Sequence, residues 1–170
     1  MGDPAMAALQ TMTTLLLVGL LGAAALHDAA FRTVPNWISL ALACGGLALR
    51  GLHHDLLPGL AVALGLFALL ALLWTRGLLG GGDVKLAGAT ALTVPPDAAP
   101  SFVLAVSLAG GVLALLYLAL SLVVSRPAPG VRRSLPARLL KAEAWRVHRR
   151  GPLPYAAAIA AGCVFTLLPG

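Results

Sequence analysis

Residues 79–86 read Leu79-Gly80-Gly81-Gly82-Asp83-Val84-Lys85-Leu86. A carboxylate and an ammonium stand two positions apart, behind three glycines and between two hydrophobic runs. An acid beside a membrane span is costly unless it is paired, protonated or in contact with water, so its default reading is a functional site. The apolar run that follows, Val84 to Val94, is short. At about 1.5 Å per residue it covers about 16 Å, against the roughly 30 Å of a hydrocarbon core. A span here therefore has to begin near Leu79, which takes Gly80 to Asp83 into the membrane margin. Irregular backbone is tolerated at that depth only where it packs in protein or faces water.

The rest of the chain sets this stretch in a membrane. Of 170 residues, 59% are hydrophobic and 11% charged, and the mean hydropathy is +0.92. A soluble domain averages about 25% charged residues. The expected fold is an all-α polytopic membrane protein without a sheet, one domain over residues 1–170. Its spans fall at about 9–26, 37–52, 56–74, 79–94, 101–124 and 153–168, with a basic loop over 125–152. Ala23-Ala24-Ala25 looks like a signal cleavage site. The tail before it carries Asp3 and no Lys or Arg, where a signal needs positive charge, so span 1 is expected to remain. Pro35 is placed at the start of span 2, where a helix needs no amide donor.

Six spans put the loops around Asp28, Gly80 and 125–152 on one side. The His53 and Pro95 loops and both termini fall on the other. Eleven of the twelve Lys and Arg residues then share the first side, and only Arg50 lies on the second. The positive-inside rule makes the first side cytoplasmic and both termini external, in a multi-pass protein of the cell's inner membrane. This asymmetry, rather than nucleic-acid binding, accounts for the sequence pI of about 10.4. Ser134 to Arg150 reads as an amphipathic helix, with Leu135, Leu139, Ala142 and Trp145 on its apolar face. Such a helix suits the anionic inner leaflet of the lipid bilayer.

The consequence is chemical. Asp28 and Asp83 come to one side, at similar depth, from different spans. Two facing carboxylates share a proton, because both cannot ionise cheaply at close range. One takes a proton from water while the other polarises a carbonyl. That is aspartyl peptide hydrolysis, and it requires no metal, cofactor or covalent nucleophile. Alternatively, each acid pairs with its neighbour, Asp28 with Arg32 and Asp83 with Lys85. A small ion- or proton-coupled transporter would use the acids as a relay, but no ionisable residue at mid-span continues the path. A non-catalytic subunit of a secretion assembly would tolerate their loss. His27 should point away from Asp28, since adjacent helical residues do not share a face. His53-His54 reads as a solvated turn. Cys44 and Cys163 read as small buried hydrophobes, without CxxC or zinc-ligand spacing.

Gly80-Gly81-Gly82-Asp83 with Lys85 resembles the GxGD pattern of polytopic aspartyl proteases, in the GxGDxK form of the type IV prepilin peptidases. Asp28, followed by Arg32 and Val34-Pro35-Asn36, is similar to that family's first catalytic stretch. Pro152-Leu153-Pro154-Tyr155-Ala156 is similar to its Pro-rich approach to the last span. The resemblance runs from about Asp28 to Gly162. It implies that Asp28 and Asp83 are the catalytic pair and that Gly80 and Gly82 shape the loop. Lys85, Pro35 and Asn36 would support the site or substrate, Lys85 through charge and Asn36 through hydrogen bonding. It also implies prepilin-like substrates, cut after a short basic leader on the cytoplasmic side of their hydrophobic helix. Larger members carry an N-terminal CxxC domain that methylates the new N-terminus. Only a short tail precedes span 1 here and no CxxC exists, so the likeness is to the short peptidase-only forms of tight-adherence pilus systems, or to archaeal preflagellin peptidases. N-methylation is not expected.

Overall fold

The computed structural model describes residues 3–123 and 153–167. Among them are six α-helices and no strand. They are α1 (Pro4–Phe31), α2 (Asn36–Leu52), α3 (Leu56–Thr75), α4 (Gly81–Ala91), α5 (Ala99–Val123, led in by a 3₁₀ turn Pro96–Ala98) and α6 (Tyr155–Leu167). Helices α1, α3 and α5 with its lead-in are long and apolar enough to cross a membrane, and α2 and α6 are shorter apolar helices. The chain is an all-α membrane protein. The amphipathic helix expected over Ser134 to Arg150 lies outside the described residues.

The ends of the helices follow from local chemistry. α1 begins at Pro4, earlier than the expected Leu9. The Asp3 carboxylate caps it by accepting the Ala5 amide at 3.0 Å, and proline is tolerated in the first turn. Thr11, Thr13 and Thr14 do not break it, because each hydroxyl donates to the carbonyl four residues back at 2.8–2.9 Å. The helix also runs past residue 26 to Phe31. There Arg32 turns left-handed at φ 57° and its amide reaches back to the Asp28 carbonyl at 2.7 Å. Asp28 thus sits in the last turn of a helix rather than in a loop. Pro35 stands just ahead of α2 as its extended N-cap, not as its first helical residue.

The fourth helix resolves the length problem differently from the sequence expectation. It does not extend back to Leu79. It starts after Gly80 and stops at Ala91, 11 residues in all, about 16 Å. The chain then turns inside the bundle through Leu92, Thr93 and Val94, all buried. Thr90 Oγ1 donates to the Leu86 carbonyl and Thr93 Oγ1 to the Thr90 carbonyl, each at 2.7 Å. Side-chain donors therefore meet carbonyls that water cannot reach.

Short helices occupy the middle and long helices the outside. α4 packs against α2, α3 and α6, while α6 packs against α1, α5 and α4. Leu21, Leu42, Leu86, Phe102 and Ile159 form the shared core. At the α5–α6 crossing a Cβ on Gly162 would lie 2.7 Å from the Val106 amide nitrogen, so only glycine admits this approach. Leu15, Leu16, Leu69, Leu72, Leu104 and Leu115 remain exposed on α1, α3 and α5. Such apolar faces fit acyl chains.

At the end of the bundle away from Asp83, Gln10 Nε2 donates to the Leu52 carbonyl at 3.0 Å. Nearby, buried Arg50 pairs with Asp55 at 2.6 Å. Arg50, the one Lys or Arg among the described residues at that end, is thus held in an internal ion pair. His53 and His54 are exposed in the same turn. Cys163 is buried, 3.4 Å from Thr93 Oγ1. Cys44, expected to be buried, is exposed. The inward residues of α2 include Ile38, Leu42, Gly46 and Leu49, and helical spacing turns position 44 to the opposite face.

Candidate active site

The C-terminal end of α1 and the N-terminal ends of α2, α4 and α6 meet at one end of the bundle. Between them is a cavity of about 370 Å³, lined by Asp28, Arg32, Asn36, Gly80, Gly82, Asp83, Lys85 and Leu153, among others. The structure therefore brings together both acids, both outer glycines of the loop, Asn36 and Lys85. Pro35 does not line the cavity; it is the N-cap residue immediately before Asn36.

Asp28 is buried, 7% exposed, in the last turn of α1. Its Oδ2 accepts a hydrogen bond from the Ala156 amide at 3.3 Å. Ala156 is the second residue of α6, so this amide has no acceptor within its own helix. The positive end of the α6 dipole adds to the contact, and a carboxylate is the natural partner for it. The same bond docks α6 onto α1.

Asp83 occupies the first turn of α4 and is half-buried. It is close enough to Asp28 for their charges to repel. The Tyr155 phenol also lies within range of the Asp83 charge. These two residues line a second, smaller cavity of about 80 Å³ between α3, α4, α5 and α6.

The glycines differ in what they do. A Cβ on Gly80 would come 2.9 Å from Asp83 Oδ2, so the carboxylate lies over a bare Cα. A Cβ on Gly82 would meet nothing within 4 Å. Gly80 thus makes room for the acid, and Gly82 leaves space in the cavity itself.

Lys85 donates from Nζ to Asn36 Oδ1 at 3.3 Å. This bond ties α4 to the start of α2, and Lys85 makes it rather than the alternative pairing with Asp83. The Arg32 guanidinium donates to the Tyr117 hydroxyl at 3.1 Å and lies 5.7 Å from the ring centroid, which fixes the end of α1 against α5. His27 turns away from the acids. Its Nδ1–H donates to the Thr33 carbonyl at 2.7 Å, and its ring is 4.7 Å from Phe31. Among the described residues no three His, Cys, Asp or Glu side chains converge.

Sequence reasoning missed two contributions. The Ala156 amide has a signal in Pro152-Leu153-Pro154, which starts a helix with free amides. Tyr117 has none, since a tyrosine among leucines on a long span marks no partner.

A family model described as the type IV leader peptidase family matches residues 15–115, more than half of the chain. The chain belongs to the type IV leader peptidase family. The matched stretch holds Asp28, Pro35, Asn36 and Gly80 to Lys85, while α6 lies beyond it. The chain has no significant match among curated proteins or among solved structures. Fold and family together define a membrane protease of the leader-peptidase type.

Proposed function

We propose that this protein is an aspartic endopeptidase of the inner membrane, with Asp28 and Asp83 as its catalytic pair. It removes the leader from type IV pilin-like precursors on the cytoplasmic side and does not methylate the new N-terminus. The observation that carries the reading is the convergence of two acids, from the end of α1 and the start of α4, on one cavity.

The pair holds one proton between two carboxyl groups. The ionised member takes a proton from a water lying between them, and the water oxygen attacks the scissile carbonyl carbon. The protonated member donates to the carbonyl oxygen as negative charge develops there. Collapse of the tetrahedral intermediate breaks the C–N bond, and the amine leaves with a proton returned from the pair. Gly80 lets the Asp83 carboxylate take its position, and Gly82 leaves room for the peptide. Lys85, held on Asn36, adds positive charge to the cavity wall. The Ala156 amide orients Asp28.

Sidedness comes from the loop charges. The basic segment 125–152, outside the described residues, would rest on the anionic leaflet. A cysteine placed at Ser134 should resist labelling from outside intact cells; efficient external labelling would reverse the topology. Purified protein incubated with a pilin-type precursor should release the leader, and mass spectrometry should locate the cut on the N-terminal side of the apolar helix. A cut within the helix, or a methylated product, would contradict the reading.

A further inference from the structure

A recess of about 620 Å³ opens on the face formed by α2, α3 and α4. Its floor includes Ala63, Gly88 and Ala89, all small and buried. Its rim carries Trp37, Leu40, Leu64 and Phe67, all large and exposed. Its polar side chains, Asn36, Ser39 and Lys85, come from the N-terminal ends of α2 and α4, so they gather at one end. Asn36 and Lys85 also line the cavity that holds the two acids. The recess and the candidate active site therefore adjoin, with this pair as their shared wall.

We propose that the recess is the docking groove for the apolar helix of the peptide substrate. The inference rests on the peptidase reading and adds where the substrate lies. A protease that cuts beside an apolar helix must hold that helix so that the peptide bond before it reaches the acids. The groove is apolar along its length and polar only where it meets the cavity, which matches an apolar rod with a polar extension. Of its small floor residues, Gly88 lies against Phe67, so it is Ala63 and Ala89 that leave room for an approaching helix, as where membrane helices associate. At its polar end an ammonium and an amide face the chain as it leaves the helix, with carbonyl groups to satisfy. An acyl chain would fill the apolar part equally well but has no peptide to present to the acids. The cavity on the other side of Asp83, about 80 Å³, is too small for a helix.

The test uses full-length protein in membranes with a leader-bearing precursor. A photo-crosslinking side chain is placed at position 40 or 64, in an Asp83→Asn background that keeps the precursor intact. Positions 104 and 115, on the outward face of α5, serve as controls. Crosslinks to the precursor's apolar segment are expected from 40 and 64 and not from 104 or 115. In otherwise wild-type protein, Leu40→Ala with Leu64→Ala should raise KM about tenfold at unchanged kcat, by loss of apolar contact. Leu104→Ala with Leu115→Ala should change neither constant. Precursor crosslinks from α5 alone, lipid adducts alone from 40 and 64, or an unchanged KM would overturn the groove. If wild-type cleavage is intact, each of these outcomes leaves the peptidase reading standing. A wild-type protein that never cuts the precursor removes both.

Discussion

Replacing Gly80 with alanine separates the geometry of the acid pair from the stability of the fold. Gly80 has φ −76° and ψ 139°, which alanine adopts freely. The added Cβ would lie 2.9 Å from Asp83 Oδ2, closer than an unstrained contact. The nearest atom is the free end of a side chain, so the carboxylate yields and the backbone does not. Restoring an ordinary separation moves it by roughly 0.5 Å. A displacement of 1 Å in a catalytic group can cost about 100-fold, so half of that predicts a loss of about tenfold in kcat. Alanine is also the poorer N-cap for α4, a cost of up to about 1 kcal/mol, which lowers the melting temperature by about 2–4 °C. The assay is precursor cleavage by purified protein in lipid, alongside its thermal unfolding. A Gly80→Ala protein with full kcat would show that the Asp83 carboxylate need not lie where the structure has it. A protein that loses activity only by unfolding would refute the argument equally.

The other outcomes follow from neighbouring contacts. Gly82→Ala should leave the melting temperature unchanged, because its Cβ enters open cavity; the precursor should feel it instead, as a KM raised a few-fold, and full activity would mean the peptide does not pass there. Lys85→Met removes a charged hydrogen bond to Asn36 and should slow cleavage about tenfold, with Lys85→Arg milder; equal rates for all three proteins would exclude a role for that charge. Arg50→Ala strands the Asp55 carboxylate and should cost about 3 kcal/mol in unfolding, much of it recovered in Arg50→Met/Asp55→Asn. A loss under about 1 kcal/mol would make the pair energetically idle.

Much of this was legible in the sequence because membranes impose one-dimensional rules. Apolar runs marked where helices lie, and the loop charges put Asp28 and Asp83 at one end of the bundle, where they line one cavity. That pattern alone brought Asp28 and Asp83 into question as a pair. What escaped depends on contacts distant in the chain or on side chains that satisfy themselves. The threonines of α1 bring polar groups into an apolar span, yet each hydroxyl bonds within its own helix. The shortfall after Asp83 was visible as a count of residues. The means of meeting it, a buried turn closed by Thr90 and Thr93, was not. The amide that holds Asp28 comes from Ala156, 128 positions away. No local pattern reports that pairing, although a helix N-terminus always has amides to place. Cys44 and Cys163 look alike in sequence and differ only in which helix face carries them.

The central claim is that Asp28 and Asp83 act together on a peptide bond. The most direct measurement is the size of a pilin-type precursor co-expressed with the wild-type protein, with Asp28→Asn and with Asp83→Asn, each variant confirmed to be present in the membrane. The precursor should shorten only with the wild type and stay full-length with either variant. Shortening that survives either substitution would contradict the paired mechanism.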